Sequence, residues 1–220
     1  MHKWFVYPEI TEASQQAAEY LANIIQESID KNNVCHIALP GGNTPALCFK
    51  YLAKKNLPWN KIHWYPGDER CYPVGHHDRN DVMLQNNLWA HISETNIHKI
   101  PAELGAETGA EEYRTLIDTI NNFDIAFLGM GEDGHTASLF PGNEALQDIR
   151  SVVPVHLSPK PPSERISLSK NTLQKASYRI VLASGSEKSN VISRIKQGEM
   201  LPINQLGDII WFVDEAVLSN

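Results

Sequence analysis

Residues 123–142, FDIAFLGMGEDGHTASLFPG, run from a short apolar segment into a loop that holds three glycines, two carboxylates and a histidine. His135 is the side chain there whose ordinary pKa, about 6.5, suits proton abstraction near neutral pH, which makes it the candidate general base. Taken alone, a histidine is better read as a cap for the next turn or as a packing partner for Phe140. The flanking glycines and acids at a strand end favour the catalytic reading. Asp133, two residues earlier, either fixes the imidazole tautomer or contacts substrate. Gly129, Gly131 and Gly134 also spell GxGxxG after a strand, the dinucleotide pattern. Such a loop must open a helix whose N-terminus faces pyrophosphate. Here Glu132 and Asp133 put negative charge in that place, and Pro141-Gly142 stops any helix within two turns.

Four further loops offer groups for an anion. In PGGNTP (residues 40–45), Gly41 and Gly42 can turn backbone amides toward a phosphate or carboxylate, Asn43 follows, and Thr44 can cap a helix that begins at Pro45. The bland alternative is a tight turn that needs glycine for steric reasons alone. PGDERCYP (66–73) places Asp68, Glu69 and Arg70 just after a strand. Arg70 can hold an anion bidentately, with Asp68 or Glu69 orienting it or meeting sugar hydroxyls; otherwise this is a solvated surface turn. SPKPPSERISLS (158–169) is stiffened by three prolines and presents Lys160 and Arg165, as one wall of an anion site or as an ordinary solvated edge loop. Lys188 in SGSEK sits at a helix start, where its charge opposes the dipole and suggests a compensating anion.

These loops need strands and helices to position them, and the pattern alternates throughout. Strands are expected at 4–7, 34–39, 62–65, 123–128, 152–155, 166–168, 178–183 and 209–212. Helices are expected from a Thr11 cap to residues 31–33, from Pro45, over 78–89, within 105–120, after SGSEK and, briefly, from Asp214. This predicts an α/β fold, three-layer α/β/α with a mostly parallel, Rossmann-like open sheet, and one domain over residues 1–220. Ligands of open α/β sheets sit beyond the carboxyl ends of strands. Each suggestive loop follows a strand, so all can converge on one edge.

Composition narrows the partners. The chain has 220 residues, 42% of them hydrophobic, and a formal charge of -7, which argues against a nucleic-acid footprint. No stretch is apolar enough for a membrane span and no signal peptide is evident, so a cytoplasmic protein is expected. Cys35, Cys48 and Cys71 are an odd set without CxxC spacing, read as buried or half-buried thiols rather than a disulfide framework or zinc site. His76 and His77 adjoin, but HExxH, a Cys/His cluster of ligand spacing and a GxSxG elbow are all missing, so neither metal nor covalent catalysis is expected.

In combination, PGGNTP, PGDER, FLGMGEDGHTASLFPG, SPKPPSERISLS and the closing WFVDEA resemble the 6-phosphogluconolactonases, in matching order across nearly the whole chain. The related glucosamine-6-phosphate deaminases share the first glycine loop and DGH. They typically carry Asp-Glu-Tyr after the second strand and continue DGH with Phe, Asn and Glu. Here the strand ends in Asp68, Glu69 and Arg70, and DGH leads into TASLFPG. The resemblance implies hydrolysis of 6-phospho-D-glucono-1,5-lactone to 6-phosphogluconate in the oxidative pentose phosphate pathway, with no cofactor. It implies His135 as general base on water, Arg70 and Lys160 holding phosphate or developing charge, and the Gly41 and Gly42 amides lining the site. The loop glycines, Gly131 among them, would let the backbone bend close to the lactone. Asn43 departs from the serine that many relatives carry. The expected partner is the sugar phosphate lactone alone, with no nucleic acid or membrane, and the expected state is a monomer or weak homo-oligomer. The rivals are an amino-sugar phosphate deaminase and a non-catalytic sugar-phosphate sensor.

Overall fold

The computed structural model describes residues 2–92 and 96–219. Its centre is set by apolar strands covered on both faces: β2 (Cys35–Leu39), β5 (Ile125–Leu128) and β8 (Tyr178–Ala183). Strands buried on both sides lose the polar alternation of a half-exposed sheet, which is why these segments read as continuous apolar runs. With β1 (Lys3–Tyr7), β3 (Ile62–Pro66) and β9 (Ile210–Asp214) they form a six-stranded parallel sheet in the order β1-β9-β8-β5-β2-β3.

Successive side chains of a strand face opposite ways, so each strand feeds two cores. Ile37, Leu39, Ile125, Phe127, Ile180 and Leu182 pack with α1 (Ile10–Asn32), α2 (Asn43–Leu52) and α3 (Asn80–Asn87). Ala38, Ala126, Leu128, Val181 and Ala183 face the other layer, which contains α4 (Ala106–Ile117) and α6 (Ser189–Lys196). Helix α1 shows how the pattern works. Ala17, Leu21, Ile24 and Ile25 fall on one buried face, and each large aliphatic side chain removed from water contributes about 1.5–3 kcal/mol. The architecture is therefore the expected α/β/α arrangement. Among the described residues no helix is long and apolar enough to cross a membrane.

Several local expectations need correction. Helix α1 starts at Ile10 after an extended Glu9 that makes no side-chain cap, so Thr11 lies in the first turn. Helix α2 starts at Asn43 with Gly42 at the cap position, which puts Thr44 and Pro45 inside the first turn. The segment around 66–73 is not simply a turn: Asp68–Arg70 form β4, which pairs antiparallel with β7 (Arg165–Leu168), itself paired with β6 (Val152–Val155). The strands expected at 152–155 and 166–168 thus build a separate small sheet that packs against α4 rather than extending the large one. A short helix α5 (Lys170–Gln174), capped by Ser169, follows β7.

Strand order also locates the crevice. From β2 the chain moves outward to β3, then returns to place β5 on the opposite side of β2 and continues through β8 to β9. The connections that leave β2 and β5 diverge, the arrangement that opens a ligand crevice beyond the strand ends. The two glycine loops leave from these two strands.

Candidate active site

Pro40–Gly42 follows β2 and Gly129–His135 follows β5, and both line a cavity of about 440 Å³. Arg70 and Asp68 from β4, Lys160 and Arg165 from the proline loop and β7, and Lys188 after β8 line the same space. Asn43, Thr44 and Gly131 do so too. Of the sequence candidates, Asp133 and Glu69 lie outside the lining.

Asp133 sits behind the histidine. His135 Nδ1 is 2.5 Å from Asp133 Oδ1, which also accepts the His135 backbone N–H at 3.1 Å. Partial burial pushes the Asp133 carboxyl up, but the His135 hydrogen bond and charge outweigh it and hold the pKa at about 2. Asp133 is thus ionised near neutral pH and can only accept, so the contact requires a proton on Nδ1 and leaves the Nε2 lone pair of neutral His135 unshielded by this pair. The loop backbone clamps the arrangement: Gly131 N–H donates to the His135 carbonyl at 2.9 Å, and Thr136 Oγ1 donates to the Gly129 carbonyl at 2.9 Å. A Cβ on Gly131 would fall 2.1 Å from the imidazole, so glycine is required for close approach. No helix follows; Thr136 and Leu139 form an isolated bridge instead. Phe140 lies 4.4 Å from the His135 ring, so the packing role and the Asp133 pairing coexist.

Glu69 is fully buried, and its expected contact with sugar hydroxyls is not made possible by this position. In a strand, neighbours point to opposite faces, so Asp68 and Arg70 reach the cavity while Glu69 points away. Its carboxylate accepts the backbone N–H groups of Arg70, Asn80 and Asp81 at 2.8, 2.7 and 2.8 Å, capping α3. Desolvation nonetheless raises its pKa to about 7. Asp68 accepts from Ser138 Oγ at 2.5 Å and from Asn80 Nδ2 at 3.1 Å, tying β4 to the segment after the histidine.

The cations divide by role. Arg70 Nη1 donates to the Asp78 carbonyl at 2.5 Å, while its buried Nε has no partner among the described residues. Arg165, 5% exposed, stacks over Phe140 at 5.5 Å and donates from Nη2 to the carbonyls of Lys160 and Pro161 at 3.2 and 2.8 Å. It therefore shapes the loop that carries the exposed Lys160. Burial lowers the pKa of Lys188, opposed by the carboxylates of Glu187, Glu132 and Asp214. Asp214, the first acid of WFVDEA, accepts from Ser184 Oγ at 2.5 Å and Gly185 N at 3.2 Å, bracing the loop that bears Lys188.

Asn80 has no counterpart among the sequence candidates. It lines the cavity, donates to Asp68, and leaves a buried Oδ1 without a partner among the described residues. A Cβ at Gly41 would lie 1.9 Å from that oxygen, so PGG is also a packing requirement. The run HDRND carries no recognisable signal for this role.

The chain is similar over most of its length to proteins of known kind. It is 33% identical to the rabbit (Oryctolagus cuniculus) GDH/6PGL endoplasmic bifunctional protein across 94% of this chain, and spans 28% of that protein's length. It is 33% identical to 6-phosphogluconolactonase of Synechocystis, covering 89% of this chain and 88% of the relative. The crystal structure of 6-phosphogluconolactonase from Thermotoga maritima superposes with a TM-score of 0.91 at 26% identity, over 97% of this chain and 100% of that one. Residues 8–211 match the family described as glucosamine-6-phosphate isomerases/6-phosphogluconolactonase, and the chain belongs to that family.

Proposed function

We propose that the chain hydrolyses 6-phospho-D-glucono-1,5-lactone to 6-phosphogluconate, the lactonase step of the oxidative pentose phosphate pathway, with His135 as general base. The observation that carries the chemistry is the His135–Asp133 pair at 2.5 Å beside a cavity lined by Arg70, Lys160 and Lys188. Similarity to 6-phosphogluconolactonases over almost the full chain supports the substrate. Water attacks the lactone carbonyl carbon while Nε2 takes its proton, and Asp133 stabilises the imidazolium that results. Negative charge collects on the carbonyl oxygen, for which a backbone amide of the loop around Gly129 and Met130 is the donor. The bond from this carbon to the ring oxygen then breaks, and the imidazolium returns the proton to that oxygen as it becomes a hydroxyl. Arg70, Lys160 and Lys188 hold the phosphate; Arg165 and Asp68 keep the loops in place, and Asn80 offers its unpaired acceptor to a sugar hydroxyl.

We further take residues 1–220 as one cytoplasmic domain, working as a monomer or weak homo-oligomer without nucleic acid. One sheet feeding both cores supports the single domain, and the net charge of -7 supports the absence of nucleic acid. The test is to generate the lactone from glucose 6-phosphate with a coupling dehydrogenase and follow its loss against the spontaneous rate. Acceleration is expected, with no ammonia released from glucosamine 6-phosphate. Ammonia release without lactone turnover would replace this reading with the deaminase one.

A further inference from the structure

The turn between β4 and α3 brings together three side chains that the lactonase reaction does not use. His76, His77 and Asp78 each offer a ligand atom, and among the described residues these atoms lie within 4.8 Å of one another. The cluster is partly organised already. Tyr72 stacks on the His76 ring at 4.0 Å, His76 stacks on His77 at 4.5 Å, and His77 Nε2 lies 3.5 Å from Asp78 Oδ2. Two imidazoles and a carboxylate suit a borderline divalent metal such as zinc, with water completing the coordination. The side chains of His77 and Asp78 are 83% and 55% exposed, so an ion can enter without rearrangement of the core.

We propose that His76, His77 and Asp78 form a binding site for a divalent transition-metal ion, and that its occupancy is coupled to Arg70. The coupling follows from proton placement. The Asp78 backbone N–H donates to His76 Nδ1 at 3.2 Å. A metal on Nδ1 consumes that lone pair, and a metal on Nε2 leaves the proton of the neutral ring on Nδ1, which then no longer accepts. In both cases the Asp78 amide loses its acceptor, and the same residue's carbonyl is the one that holds Arg70 Nη1 at 2.5 Å. Metal binding therefore loosens the turn that positions a guanidinium at the cavity. This coupling rests on the phosphate-holding role given to Arg70, whereas the metal site itself does not.

Calorimetric titration of the purified full chain with zinc chloride separates the two claims. One saturable zinc is expected per chain, and His77→Ala should weaken it at least about tenfold while lactone turnover in the absence of metal stays within about twofold. With zinc bound, the KM of the wild-type protein for the phosphorylated lactone should rise about fivefold, an ordinary size for coupling between two sites. No saturable zinc, zinc bound equally well by His77→Ala, or zinc lost only in His135→Ala would each overturn the site. Zinc held by His77 with KM unchanged would overturn the link to Arg70 alone.

Discussion

Histidines stand at both ends of the parallel strands, and the two groups behave as opposites. At the carboxyl edge His135 has an ionised partner, Asp133, 2.5 Å away, and faces a cavity. At the amino ends of β2 and β3, His36 and His63 pack with His98 and Tyr65. There Nδ1 of His36 is 3.0 Å from the Tyr65 hydroxyl, and Nδ1 of His63 is 3.0 Å from Nε2 of His98. Burial, together with the neighbouring imidazoles, pushes His98 down to about 4, and burial lowers His36 and His63 as well. The difference teaches that residue type does not make a base. A carboxylate behind the ring stabilises the imidazolium that proton transfer creates, while a neighbouring imidazole penalises it. One end of the sheet sets a carboxylate behind its histidine, and the other packs its histidines against one another in a buried cluster.

The largest effect expected is at the cavity. His135→Ala should fold with an unchanged melting temperature and lose at least about 100-fold in turnover, the low end of general-base contributions. Turnover close to that of the unchanged protein would remove His135 from the mechanism and collapse the contrast. Asp133→Asn keeps the shape but replaces the charge and allows the wrong tautomer. A loss of about tenfold in kcat, with little change in KM, is expected when a base is mispositioned rather than deleted. Equal losses in kcat and stability would mean that Asp133 is only part of the loop's fold.

The central strands and their glycine loops were legible because burial on both faces leaves an apolar run followed by an abrupt turn. VCHIAL and FDIAFL announce themselves, and with them the positions of Gly41, Gly42 and His135. PGDER was legible as chemistry but not as structure. Three charged residues carry no strand signal, since β4 is stabilised by pairing with β7 about a hundred residues later. Without the strand there was no alternation, and hence no reason to separate Glu69, which turns away to cap α3, from Asp68 and Arg70. Arg165 likewise read as a loop cation, although its guanidinium is spent largely on the carbonyls around Pro161. Asn80 was invisible because an unpaired oxygen is a property of three dimensions. The clustering of the HHD side chains was equally hidden, because three adjacent residues bring their polar atoms within 4.8 Å of one another only when a turn folds them to the same side.

The smallest effect belongs to the opposite edge and is one of stability. The folded pKa of His98, about 4, lies below its ordinary 6.5, so the unfolded chain binds more protons between these values. The contribution is fully present above pH 6.5 and is lost as pH falls through 4, provided that His36, His63, Tyr65 and the nearby Asp124 keep their contacts. His98→Phe retains the stacking on Tyr65 and removes the titrating group. Its melting temperature should therefore fall less than that of the unchanged protein between pH 7 and pH 5, while lactone turnover at pH 7 is retained. An identical acid dependence in both proteins would show that protons taken up elsewhere dominate, and that the cluster at this edge is ordinary packing rather than the counterpart of the His135–Asp133 pair.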